Sequence, residues 1–223
     1  MNRFINAILL FVLFPTMLMT ILIGFDISID MFKIRTTGAQ LPYRFEILLG
    51  LGLFILIVNV RRSIRRWMGM RLVNQIEKFK WNQPMSEERV KRVRTYNFLE
   101  GFVMLFIAIT LYIVSPEAWM PAIGFAFCTV DNIIFTLVGV SGKRFRAGIT
   151  SKAVITADRD VNLVYFSGLR KVTIHQQSMF FDYIKELQLS FPIDCVKEEQ
   201  RDDFFEVLEN QLDRDKVFIT KQR

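Results

Sequence analysis

Four long apolar stretches alternate with polar segments along residues 1–142. They cover about residues 4–25, 41–60, 97–114 and 118–140. A helix of this length crosses the hydrocarbon core of a bilayer, because each residue adds 1.5 Å of rise. A single stretch is compatible with a buried helix of a soluble protein, but four in one chain of 223 residues are not. We predict a four-helix transmembrane region over residues 1–142.

The first stretch has a second interpretation as a secretory signal peptide, because a single charge, Arg3, precedes it. However, its apolar run is longer than the hydrophobic region of such signals, and no Ala-x-Ala cleavage site follows it. We interpret it as a retained helix.

The positive charge of the chain is concentrated between the second and third stretches. Residues 61–96 carry eleven Lys and Arg against three Glu, a net charge of +8, whereas the whole chain carries +7. Lys and Arg are enriched in cytoplasmic loops, so we expect this segment and both termini to face the cytoplasm. The predicted location is the cytoplasmic (inner) membrane, and one charged loop gives no indication of a nucleic-acid partner.

Residues 61–96 are predicted to form a cytoplasmic helical hairpin. "NQP" at 82–84 interrupts the helical pattern, and Ser86 is a suitable N-cap for the second helix. Trp67 and Trp81 are expected to anchor the hairpin at the membrane surface. Its first helix carries a basic juxtamembrane patch, which either binds anionic lipid headgroups or only sets topology, namely Arg61, Arg62, Arg65, Arg66 and Arg71.

After Gly142 the pattern changes to short β-rich runs with polar breaks. They are followed by "KEEQRDDFFEVLENQL", an amphipathic helix whose apolar stripe comprises Phe204, Phe205, Leu208 and Leu212. Strands capped by one C-terminal helix predict a small cytoplasmic α+β domain over residues 143–223, with a bent antiparallel sheet or open barrel.

Short motifs recur in a particular order within residues 146–213. An aromatic pair and a small polar residue precede spaced apolar positions, and a Phe-Pro strand end precedes the final helix: Tyr165, Phe166, Ser167, Leu169, Val172, Phe191 and Pro192. This order resembles the bacterial pleckstrin-homology-like (PH-like, YcxB-like) domains, although the Trp common in that family is replaced by Tyr or Phe. The resemblance implies a PH-like fold on membrane helices in a bacterial protein. It implies neither phosphoinositide binding nor any catalytic residue.

Residues that commonly carry chemistry are sparse. His175 is the only histidine, and Cys128 and Cys195 lie in separate predicted elements, so no metal-ligand spacing exists. No nucleophile-elbow or zinc-protease motif occurs. We expect no catalytic residue, no metal and no cofactor, and we predict a protein that is not an enzyme.

Asp131 is an acid within the fourth apolar stretch. It lies about 13 Å from Val140 by helical rise, and a charge at such a depth is costly unless it is buried in protein or protonated. It shares a helical face with small residues that favour close helix contact, namely Gly124, Cys128 and Gly139.

We predict that this face packs on the third stretch, with a neutral Asp131 hydrogen-bonded to Asn132 or another nearby group. A polar clasp between helices is the favoured interpretation, and an ion relay or an assembly site remain alternatives. Two further acids are expected near the membrane surface, with Glu46 beside Arg44 and Glu100 close to Arg94.

These patterns lead to two hypotheses of different classes. The first is a membrane-anchored interaction or scaffold protein, in which the C-terminal domain binds a protein partner and the basic hairpin contacts membrane lipids. The second is a small transporter or channel-like protein that uses Asp131.

Overall fold

The computed structural model describes residues 2–31, 34–175, 178–184, 187–213 and 217–221. Four long helices match the four apolar stretches: α1 (Asn2–Gly24), α2 (Arg44–Val73), α3 (Glu87–Val114) and α4 (Trp119–Ser141). All four are long and apolar enough to cross a membrane. The hydropathy pattern therefore located the helices correctly, but α2 and α3 extend well beyond their apolar parts.

The chain forms two compact units, and residue 142 is not the boundary between them. Residues 1–64 and 96–135 form one unit, here called the helical unit, and residues 65–95 and 136–223 form the other, the β-rich unit. The sequence suggested a division at residue 142 because hydropathy changes there. The polar ends of the long helices and the segment between α2 and α3 nevertheless belong to the β-rich unit.

The helical unit has an apolar core to which all four helices contribute, including Leu9, Ile55, Ala108, Leu111 and Phe125. Between α1 and α2, strands β1 (Ser28–Met31) and β2 (Ile34–Thr37) pair antiparallel where the sequence predicted only a loop. Helices α2 and α4 approach each other closely. A Cβ at Gly52 would lie 2.5 Å from the backbone nitrogen of Pro121, so only glycine permits this approach.

The β-rich unit contains two four-stranded sheets and one helix. The first sheet is antiparallel, in the order β3 (Trp81–Pro84), β4 (Arg146–Ile149), β5 (Ala153–Ala157) and β6 (Val161–Tyr165). The second comprises β7 (Leu169–Ile174), β8 (Ser178–Tyr183) and β9 (Gln188–Pro192), with β10 (Phe218–Lys221) parallel to β7 at its edge. Helix α5 (Arg201–Gln211) lies between β9 and β10 in the chain.

The apolar stripe of α5 is buried, as its pattern predicted. Phe204 and Leu208 are almost inaccessible. The ring of Phe204 stacks on Phe191 at 5.5 Å between centroids and meets the edge of Trp81 at 5.0 Å. Trp81 is therefore a core residue of the β-rich unit, and its predicted role as an interfacial anchor is wrong.

Within residues 61–96, the two predicted helices are the end of α2 and the start of α3, but the first ends at Val73 and the connection contains strand β3. Asn82 fixes this strand with its side chain, which donates to the carbonyl of Val73 at 2.7 Å and accepts from Nε of Arg146 at 2.6 Å. The strand has only four residues and its partner β4 is distant in the chain, so local periodicity gave no indication of it. The predicted N-cap is confirmed, since the backbone N–H of Arg89 donates to Ser86 Oγ at 3.2 Å.

Candidate functional site

Polar side chains of α2, α3 and α4 meet inside the helical unit. On α2, Asn59 lies four residues after Ile55, and Arg62 lies three residues after Asn59. These spacings place the three side chains on one helical face. Ser63 completes the α2 contribution, Glu100 comes from α3, and Cys128 and Asp131 come from α4. These six side chains, from Asn59 to Asp131, are here called the polar cluster.

Arg62 is the central residue of the polar cluster. Its Nη1 donates to Glu100, and the two side chains are only 4% and 11% exposed. The same nitrogen lies 3.8 Å from Cys128 Sγ. Within the described part of the chain, Nε and Nη2 of Arg62 have no hydrogen-bond partner. Burying donors in this way is costly, so the site has unused capacity to hold an acceptor.

Asp131 is bound to α2. Its Oδ1 accepts a hydrogen bond from Ser63 Oγ at 2.7 Å. On the same α4 face, the carbonyl of Gly124 accepts from Asn59 Nδ2 at 3.1 Å. By helical rise, Asp131 lies about 18 Å from Trp119 at the start of α4, so the contact is near the middle of that helix.

The prediction that this face of α4 packs against α3 is therefore wrong. Helix α3 contacts the adjacent face, where Thr129 Oγ1 donates to the carbonyl of Gly101 at 3.0 Å and the buried Asn132 lies beside it. The short connection makes α3 and α4 neighbours, but it does not determine how α4 is rotated about its axis. Gly139, on the predicted face, instead packs beneath the ring of Phe145 in the β-rich unit.

The predicted partners of the two acids near the membrane surface differ from those in the structure. Arg44 does not pair with Glu46 but with Glu117, at 2.9 Å. Glu100 pairs with Arg62 in the interior, not with Arg94 at the surface. Sequence reasoning treated Arg62 as one of a run of surface arginines. Its spacing from Asn59 and Gly52 on α2 was the signal that it points inward.

The five predicted patch arginines do not form one accessible surface. Arg62 and Arg66 are buried, and Arg65 Nη2 lies 3.9 Å from Asp160. Only Arg61 and Arg71 are exposed. A lipid-binding surface therefore cannot consist of these five residues.

A different basic surface lies in the β-rich unit, where a groove of about 610 Å³ opens beside the start of α3 and the end of α4. Apolar side chains line its base, namely Met85, Val90, Val140 and Phe145. Four basic side chains also line it: Lys91, Arg94, Lys143 and Lys197. Glu87 and Glu88 are its acids. This feature is here called the basic groove.

The four cations of the basic groove outnumber its two carboxylates. Within the described ranges none of them forms an ion pair. The neighbouring arginines on α3 are engaged elsewhere: Arg89 Nη2 donates to Asp158 at 2.6 Å, and Arg92 Nη1 to Asp194 at 2.7 Å. The positive charge of the groove is thus available to a ligand.

Lys143 enters the groove from a strained backbone position. Its φ is 48°, in the left-handed region that favours glycine, directly after α4 ends. The turn is closed by the N–H of Arg144, which donates to the carbonyl of Gly139 at 2.9 Å. A lysine in this conformation costs about 1 kcal/mol relative to glycine.

Groups able to perform covalent or metal chemistry are not assembled in the described residues. No set of three or more His, Cys, Asp or Glu side chains there is close enough to hold a metal ion. Burial raises the pKa of the Cys195 thiol, so little of the nucleophilic thiolate is present at neutral pH. His175 packs edge-on against Phe180 at 5.2 Å between ring centroids.

Comparison of the chain with family models, with curated proteins and with solved structures gives no match. The function is therefore inferred from the polar cluster and the basic groove themselves.

Proposed function

We propose that the chain is a multi-pass protein of the bacterial cytoplasmic membrane that acts as a non-enzymatic docking protein. The basic groove is the observation that carries the proposal. It is open, its volume of about 610 Å³ is typical of a ligand site, and its cations have no carboxylate partners in the described residues. These properties suit the capture of an anionic group and need no catalytic machinery.

A PH-like fold for residues 146–213 forms part of the proposal. Successive strands β4 to β9 followed by helix α5 support it, because strands capped by one C-terminal helix are what the family resemblance implies. Strands β3 and β10 are additions that extend the two sheets.

The proposed orientation of the protein in the membrane rests on the charge of the segment between the second and third helices. Residues 61–96 carry a net +8, which favours a cytoplasmic position for that segment and for both termini. Single cysteines introduced at the exposed Arg71 and Lys78 are expected to react with a membrane-impermeant thiol reagent only after the membrane is opened. Labelling of either position in intact cells would contradict this topology.

Site-specific photo-crosslinking in the full-length protein tests the docking function. A crosslinking amino acid replaces Glu88, at the groove, or Lys152, which is exposed elsewhere in the β-rich unit. We expect a discrete adduct, with lipid or with protein, from position 88 and a much weaker one from position 152. Equal yields from the two positions, or none from either, would show that the groove docks nothing.

Transport through the helical unit is a second candidate function. Three helices contribute to the polar cluster, and Arg62 has donors without acceptors in the described residues. Intramembrane ionisable residues commonly mark ion pathways. In proteoliposomes, Asp131→Asn is expected to abolish a pH-dependent flux while folding is retained. If the wild type shows no such flux, the polar cluster acts only as a structural clasp.

A further inference from the structure

We infer that the basic groove binds the headgroup of an anionic phospholipid of the membrane that the helices cross. The inference rests on the docking function proposed above and names its ligand. Its support comes from the position of the groove along α3 and α4, from its charge and from its apolar base.

The groove residues lie where the apolar parts of two helices end. Arg94 precedes the apolar part of α3, which begins near Asn97, and Val140 is in the last turn of α4. Where a spanning helix leaves the hydrocarbon, the surrounding layer consists of lipid headgroups. A ligand for this groove is therefore most abundant in the membrane itself.

The charge of the groove selects an anion. The groove is lined by four cations and by the two acids Glu87 and Glu88, so its net charge is +2. None of the cations is paired within the described ranges. Each Lys or Arg near an anionic membrane surface adds to the attraction for that surface, so the four together favour binding of a lipid phosphate.

The apolar base distinguishes a lipid from a free phosphate ion. Val90 and Val140 lie in the groove beside the cations, and they offer an apolar surface to the glycerol and first acyl carbons of a lipid. Free phosphate or glycerol phosphate would leave that surface in water. A site that combines cations and apolar side chains at a membrane boundary therefore suits an amphiphile.

The groove also replaces the surface expected from the sequence. Arg62 and Arg66 are buried, and Arg65 lies close to Asp160, so the predicted arginine patch offers few accessible charges. The cations of the groove come instead from α3, from the turn after α4 and from Lys197, and only the fold brings them together.

Native mass spectrometry of the full-length protein tests the inference. The protein is reconstituted in nanodiscs that contain phosphatidylglycerol and phosphatidylcholine in equal amounts, and the lipids retained after release in mild detergent are counted. The groove variant combines Lys91→Gln, Arg94→Gln, Lys143→Gln and Lys197→Gln. The matched control removes four exposed cations elsewhere, through Lys78→Gln, Lys80→Gln, Lys152→Gln and Arg170→Gln.

We expect the wild type to retain phosphatidylglycerol in preference to phosphatidylcholine. The groove variant should lose that preference by about tenfold or more, whereas the control should stay close to the wild type. The substituted side chains are exposed or partly exposed, so thermal unfolding should show both variants folded.

Three results would overturn the inference: equal retention of the two lipids by the wild type, equal losses in both variants, or full displacement of the lipid by soluble glycerol phosphate. A specific crosslink from position 88 to a protein, with no lipid preference, would keep the docking function and assign the groove an acidic protein partner. Failure of both experiments would remove the docking function as well.

Discussion

The two units of the molecule differ in the side chains that they expose. In the helical unit, large apolar side chains such as Phe11 and Ile113 are exposed, at 81% and 74%, while Asn59, Arg62 and Asn132 are buried. In the β-rich unit, the interior consists of residues such as Phe181 and Phe191. Both units have an apolar core, but an exterior of large apolar side chains is stable in lipid, not in water.

Arg89 in the β-rich unit and Arg62 in the helical unit differ in how many of their N–H groups have hydrogen-bond acceptors. Arg89 in the β-rich unit binds Asp158 and approaches Asp194 within 3.4 Å. Arg62 in the helical unit pairs with Glu100 but keeps two N–H groups without an acceptor in the described residues. A fully paired arginine stabilises a fold, whereas an incompletely paired one is a position where function can reside.

The largest expected effect comes from Arg62→Met. It leaves the Glu100 carboxylate buried without its partner, and unfolding in detergent should show a loss of about 3–5 kcal/mol. The double variant Arg62→Met with Glu100→Met should recover most of that stability, because neither charge remains to be desolvated. Arg44→Met provides the control: its pair with Glu117 is 32% exposed on both sides, so the loss should stay below about 1 kcal/mol.

A smaller loss, about 2–3 kcal/mol, is expected for Arg89→Met, because removing a charged hydrogen-bond donor leaves the buried Asp158 unsatisfied. Arg92→Met is the matched control, because Arg92 lies three residues further along α3 and is 53% exposed. Its loss should cost less than about 1 kcal/mol of stability. Chemical denaturation followed by Trp fluorescence measures both, since Trp81 lies in the core of this unit. Equal effects of the two substitutions would refute the distinction between a buried and an exposed arginine.

Asp131 should show an intermediate effect that depends on the replacement. Asp131→Asn keeps an oxygen that accepts from Ser63, so we expect a change below about 1 kcal/mol, whereas Asp131→Leu should cost about 1–2 kcal/mol. Ser63→Ala should resemble the leucine variant more than the asparagine variant. If Ser63→Ala has no effect on thermal unfolding while Asp131→Leu does, the contact between α2 and α4 is not what holds Asp131.

The smallest expected effect on stability is an increase, and it comes from Lys143→Gly. Lys143→Gly removes a side chain from a left-handed position and should stabilise the protein by about 0.5–1 kcal/mol. The same substitution should weaken retention of phosphatidylglycerol, since one of four groove cations is lost. Stabilisation without loss of lipid would mean that Lys143 has no role in the groove.

Hydropathy and helical periodicity were sufficient to locate α1 to α4, the N-cap at Ser86 and the buried stripe of α5, because each depends on neighbours a few residues away. Strands β3 and β10 were missed for the opposite reason. Each has four residues, and each is stabilised by a partner that lies far along the chain. Such pairing leaves little trace in local sequence.

The candidate site was only partly predictable. Asp131 was identified because an acid in an apolar run is conspicuous, but its partner was not, since sequence gives no direct measure of how α4 is rotated. Arg62 was assigned to the surface with its neighbours, and the cations of the basic groove lie in separate segments of the chain. Their meeting is a property of the fold, with Lys91 and Lys197 as the clearest example.

The difference between the exposed surfaces of the two units is tested most directly by spin-label accessibility in reconstituted bilayers. Labels are placed at Phe102 and Phe106 on α3 and at Lys152 and Tyr165 in the β-rich unit, all exposed positions; the native cysteines are buried, so the wild type gives the labelling background. We predict that oxygen relaxes the α3 labels more than a water-soluble nickel complex does, and that the order reverses in the β-rich unit. Relaxation of the α3 labels chiefly by nickel would contradict the account.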